Sequence, residues 1–97
     1  MYARLTTVET TLRRLDDATK LYAQVLVQSL KARPGFRGIY VLTGRDSGKV
    51  SSLSLWEREE DALASERSGW YQEQLEKFRE FFAAPPVMEG YDVTVQV

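Results

Sequence analysis

No cysteine, histidine or asparagine occurs anywhere in the 97 residues of this chain. Without cysteine there is no disulfide, no thiolate nucleophile and no Cys/His ligand set for zinc. Without histidine there is no imidazole for acid–base work, and a Ser–His–Asp triad is impossible. Proline is scarce, at three residues, and no apolar run approaches the ~20 residues of a membrane helix. No signal peptide opens the chain. Neither sign of charge dominates: thirteen Lys/Arg against fourteen Asp/Glu leave a net charge of −1, which offers no basic field for nucleic acid. The missing cysteine fits a reducing cytoplasm. With the missing asparagine and nine Arg to four Lys, it also leans weakly towards heat tolerance.

What is present is an ordinary globular mixture, 43% apolar and 28% charged, on a chain of single-domain size spanning residues 1–97. Tyr2 to Glu9, with Thr6, Thr7 and Val8, predicts a strand. Thr10 or Thr11 then offers a helix cap, with the Asp16–Asp17 pair as an alternative. Leu15, Tyr22, Leu26 and Leu30 line one helical face, Leu21 and Val25 widen it, and Pro34–Gly35 ends it after Arg33. Phe36 to Thr43 reads as a second strand, Gly44 to Lys49 as a hairpin turn and Val50 to Trp56 as a third strand. Glu57 to Glu60 put acids at the start of a second helix, which Ser68–Gly69 interrupts. Tyr71, Leu75, Phe78 and Phe82 continue an apolar stripe that Pro85–Pro86 stops. Met88 to Val97 closes the chain as a strand, with Tyr91, Val93, Val95 and Val97 alternating against polar residues.

The order strand, helix, strand, strand, helix, strand predicts an α+β fold, the ferredoxin-like βαββαβ plait. Its four-stranded antiparallel sheet carries two helices on one face. The central strands are apolar on both sides. Phe36, Tyr40 and Leu42 are expected on one side of the second strand, with Ile39 and Val41 on the other. Val50 and Trp56 oppose Leu53 and Leu55 on the third. Helices cover one face only, so a second subunit is the expected cover for the other.

Pro34-Gly35-Phe36-Arg37-Gly38 leads into the second strand. Leu55-Trp56-Glu57-Arg58-Glu59-Glu60-Asp61-Ala62-Leu63 follows the hairpin, and then Ser68-Gly69-Trp70-Tyr71. In these motifs the chain resembles the antibiotic-biosynthesis-monooxygenase (ABM) domains of the dimeric α+β barrel superfamily. That resemblance implies a homodimer with sheets packed face to face and a cleft between sheet and helices in each subunit. It further implies either cofactor-free oxygenation of polycyclic aromatic substrates or oxidative opening of haem. The haem-degrading relatives use an Asn on the first strand, a Trp in the second helix and a His further along it. This chain has no Asn or His, and the Trp and His positions fall on Ser65 and near Leu75. Haem degradation by that machinery is disfavoured, and the missing Asn weakens the oxygenase reading as well.

The candidate ligand-binding residues are Trp56, Trp70 and Tyr71. Trp56 offers an indole face and one donor, or else plugs the end of a central strand. Ser52 and Ser54 lie beside it on the same strand face. Trp70 and Tyr71 follow the helix break at Gly69, where aromatics border clefts, although Tyr71 also opens the apolar stripe. Arg37 suits an anionic ligand or an acid across a dimer. The acids Glu57, Glu59, Glu60 and Asp61 are better explained by the helix dipole than by a metal. No catalytic residue, metal site or cofactor is assigned. The sequence supports a small cytoplasmic homodimer that is either a non-enzymatic binding or interaction module or a module for a small apolar or aromatic ligand, the alternative being a cofactor-independent monooxygenase on a small aromatic or polycyclic substrate.

Overall fold

A computed structural model describes residues 1–79 and 83–97, with the backbone alone at Tyr71, Leu75 and Phe78. Residue 82, at the end of the expected apolar stripe, lies outside the described residues, as do the three side chains that precede it in that stripe. The elements run β1 (Tyr2–Glu9), a single 3-10 turn (Leu12–Arg14), α1 (Leu15–Leu30), β2 (Phe36–Gly44), β3 (Lys49–Trp56), α2 (Glu59–Arg67), α3 (Trp70–Phe78) and β4 (Ala84–Asp92). The four strands form one antiparallel sheet in the order β2-β3-β1-β4. That order is the ferredoxin-like plait expected from the sequence.

Strand alternation decides what faces the helices. Tyr2, Arg4, Thr6 and Val8 of β1 share a face with Trp56, Ser54, Ser52 and Val50, their partners in β3. Against this face α1 lays the stripe Leu15, Ala18, Tyr22, Leu26 and Leu30, all buried. One cluster joins Tyr2, Tyr22, Leu26, Leu30, Trp56 and Ala62, and a second joins Val8, Leu15 and Val50. Each buried Leu or Val contributes about 1.5–3 kcal/mol relative to exposure.

Three expectations are corrected. Phe36 does not share a face with Tyr40 and Leu42. A bulge at Arg37 separates the pairs Phe36–Trp56 and Gly38–Leu55, so Phe36 turns to the helix side, edge-on to Trp56 at 5.8 Å between ring centres. The α1 cap is neither Thr10, Thr11 nor the aspartate pair. The Thr10 N–H donates to Gly48 O at 2.9 Å, which commits that backbone to the hairpin. Arg14 stands at the N-cap without a side-chain bond, while Asp16 and Asp17 sit in the first turn, where the dipole favours them. The last strand runs Ala84–Asp92, rather than Met88 to Val97. β4 pairs only with β1, whose ladder ends at Tyr2–Asp92, and Val93 N–H makes the last bond to Met1 O. Among the described residues, those beyond Asp92 take part in no strand. At the other end Pro85 and Pro86 lie inside β4, where the register shifts between Thr7 and Glu9 of β1. An edge strand with an irregularity tolerates a residue that donates no ladder bond.

The opposite face of the sheet carries no helix. Tyr40, Leu42, Val87 and Tyr91 are exposed there, around half-buried Leu5, Leu53 and Leu55.

Candidate functional site

α2 and α3 are separated by two residues, Ser68 and Gly69. Gly69 adopts φ 84°, the left-handed conformation that ends helices, and its N–H returns to Glu66 O at 3.3 Å. The Ser68 hydroxyl donates to Ser65 O at 2.7 Å and accepts from Trp70 N–H at 3.3 Å, so one side chain ties the two helices together. The break places Trp70 at the first position of α3, over the end of the sheet where Trp56 closes β3.

Between these helices, α1 and the sheet lies a cavity of about 30 Å3, lined by Arg4, Thr6, Leu26, Leu30, Ser52, Ser54, Trp56, Ala62, Ser65, Glu66 and Trp70. By volume it holds about two waters. A wider hollow of about 570 Å3 over Leu12, Asp16, Thr19, Thr43 and Arg45 lies at the surface and contains no aromatic ring. The enclosed cavity is the better candidate because it is mainly apolar and carries a few convergent polar groups.

Most of those polar groups are paired. The Trp56 indole N–H donates to Ser54 Oγ at 3.0 Å, and that hydroxyl donates to Arg4 O at 3.3 Å. The Tyr22 hydroxyl donates to Ser52 Oγ at 2.7 Å. Burial pushes the Tyr22 phenol above its ordinary pKa, and the Ser52 bond opposes the shift. Arg33 donates through Nε to Ser65 Oγ at 3.2 Å and through Nη2 to Ser68 Oγ at 3.1 Å. Its guanidinium also lies over the Trp70 ring at 5.4 Å. Arg4 forms an ion pair through Nη2 with Glu66 Oε1, both side chains being largely buried. Arg4 Nε is buried and has no hydrogen-bond partner among the described residues.

Of the residues singled out in the sequence, Trp56 and Trp70 meet at this cavity. Trp56 is both wall and plug: it is 3% exposed and part of the main core cluster. The Tyr71 side chain lies outside the described residues. Ser52, Ser54 and Ser65 line the cavity. Arg37 stands exposed at its bulge with no ion pair among the described residues. The sequence reading missed Arg4 and Glu66. Alternation along β1 carries a signal for Arg4, because Tyr2, Thr6 and Val8 fix it on the inner face. Glu66 lies four residues after Ala62 and so shares its face of α2.

No family model and no curated protein matches the sequence. Solved structures do match. An antibiotic biosynthesis monooxygenase candidate from Bordetella bronchiseptica superposes with a TM-score of 0.82 at 17% identity, over 97% of each chain. Another candidate, from Nitrosomonas europaea, gives 0.79 at 16% identity, over 98% of this chain and 100% of that one. A Streptomyces coelicolor monooxygenase, solved with the ligand nanaomycin D, gives 0.78 at 17% identity, over 99% of this chain and 89% of that one. The fold is that of the antibiotic-biosynthesis-monooxygenase domains. Identities this low carry the fold and leave the residues to be argued one by one. In this ABM-like domain the inner wall is built from serines, threonine and an Arg–Glu pair around two indoles.

Proposed function

We propose that this ABM-like domain is a homodimeric small-ligand-binding module of the reducing cytoplasm, whose site is the cavity between sheet and helices. Trp56, Trp70 and Tyr71 would supply its aromatic walls. The observation that carries this reading is the enclosed, mainly apolar cavity bordered by both tryptophans of the chain. Its volume of about 30 Å3 is far below the ~300 Å3 of a typical ligand pocket, so binding requires Trp70 to move. Trp70 directly follows the Gly69 break, at the joint between α2 and α3. The exposed apolar face holding Tyr40, Leu42, Val87 and Tyr91 supports pairing of two sheets about a two-fold axis.

A second reading is a cofactor-independent monooxygenase acting on a small aromatic or polycyclic substrate. The nanaomycin D complex of the Streptomyces relative favours it. An electron-rich substrate would then react with dioxygen itself, the cavity supplying shape and exclusion of water.

Native mass spectrometry of freshly purified protein tests the first reading. A dimer, with or without a small adduct, is expected, and a monomer at micromolar concentration would refute the pairing. Oxygen uptake with aromatic phenols and quinols tests the second. Turnover lost on replacing both tryptophans by Phe would support it, and turnover unaffected would place the chemistry elsewhere.

A further inference from the structure

Arg4 is the least expected member of the cavity wall. A guanidinium carries five N–H donors and is ionised at every accessible pH. Here Nη2 is taken by Glu66, but the buried Nε–H has no acceptor among the described residues. An unmet buried donor of this kind is costly, and more so on a charged group. Natural structures keep such a group where water or a ligand serves it.

The charges around the cavity are unequal. Arg4 and Glu66 line it, and a second guanidinium, Arg33, stands behind that lining, bonded to Ser65 and over the Trp70 ring. Arg33 bonds Ser65 and Ser68, with no carboxylate within ion-pair distance among the described residues. The local sum is therefore one positive charge, at a site whose other walls are indole, leucine and small hydroxyls. In surroundings poor in water a positive charge and an open donor favour an anionic oxygen over a neutral one.

We propose that the cavity selects an anionic ligand, a flat apolar body bearing one oxyanion group of the aromatic-carboxylate type. Its oxygen accepts from Arg4 Nε, Arg33 behind Ser65 and Trp70 balances its charge, and its ring lies against Trp56 and Trp70. This rests on the cavity being the binding site. Glu66 is a positioning residue, which holds the Arg4 guanidinium so that Nε is left for the ligand.

The test follows the two tryptophan indole N–H signals by NMR. Benzoate and 2-naphthoate are titrated against the uncharged benzyl alcohol and 2-naphthalenemethanol. Wild-type protein is expected to bind each carboxylate at least about tenfold tighter than its alcohol. Arg4→Lys keeps the positive charge beside Glu66 and removes Nε–H. It is expected to weaken the carboxylates about tenfold and leave the alcohols unchanged. Should it fail to fold, the Arg4→Gln/Glu66→Gln double variant, which leaves no unpaired charge, is expected to lose the preference in the same way. Equal affinity for acids and alcohols in wild type, or a preference that survives at Arg4, overturns the inference and leaves the pocket standing. No indole shift with any of the four probes overturns the pocket itself.

Discussion

The Tyr22 hydroxyl of α1 donates to Ser52 Oγ of β3 at 2.7 Å, a buried bond thirty residues apart in sequence that ties the long helix to the centre of the sheet. Replacing either residue removes this bond. Ser52→Ala and Tyr22→Phe are each expected to cost about 1 kcal/mol. Urea denaturation of both variants and of the double variant checks this. A double-variant loss equal to the sum of the two single losses would show that the pair is uncoupled.

The same phenol makes stability fall in alkali. Its folded pKa is raised, first by burial, above the ordinary value of 10.0. A raised pKa keeps the proton in the folded state, so the contribution is full below pH 10 and is lost as pH rises through the window up to the folded value. The slope is at most about 1.4 kcal/mol per pH unit for one group. Denaturation midpoints measured from neutral pH upwards are expected to fall more steeply in wild type than in Tyr22→Phe. Parallel curves would assign the loss to other groups.

Two glycines in the left-handed region separate strain from crowding. Gly69 has φ 84° with nothing within 4 Å of a Cβ, so Gly69→Ala costs backbone strain alone, about 1–2 kcal/mol. Gly48 has φ 76°, and an added Cβ would run into Thr10 O, beside the bond from Thr10 N–H to Gly48 O. Gly48→Ala is expected to cost at least about 1 kcal/mol more. Equal losses in thermal or urea denaturation would contradict the difference in crowding.

The bulge at Arg37 is tested by two aromatic truncations on β2. Phe36 packs edge-on to Trp56 inside the domain, whereas Tyr40 is 61% exposed on the open face. Phe36→Ala is expected to cost about 3 kcal/mol at any protein concentration. Tyr40→Ala should leave subunit folding almost unchanged and act on dissociation of the proposed dimer, read by sedimentation at falling concentration. A Phe36→Ala loss below about 1 kcal/mol would return that side chain to the open face.

Much of this was legible in the sequence because local rules acted unopposed. β1 runs from Tyr2 to Glu9 as its β-branched residues indicate, the α1 stripe buries Leu15, Tyr22, Leu26 and Leu30, and Gly69 breaks the second helix. Trp56 and Trp70 border one cavity. Arg4 escaped notice because an arginine in a strand usually faces solvent. Its burial becomes intelligible only once Glu66, sixty-two residues later, is seen to supply the opposite charge.

Element order, helix stripes and the α+β class were determined by the sequence itself, since periodicity and turn chemistry are properties of neighbouring residues. Tertiary structure decided where the ladders stop and which way side chains turn at irregularities. β4 ends at Asp92, despite the alternating valines beyond it, where its ladder with β1 ends at Tyr2. Phe36 faces inward because one extra residue at Arg37 reverses the alternation. A strand exists only against a partner, and the partner's length and register are fixed by residues far away in the chain.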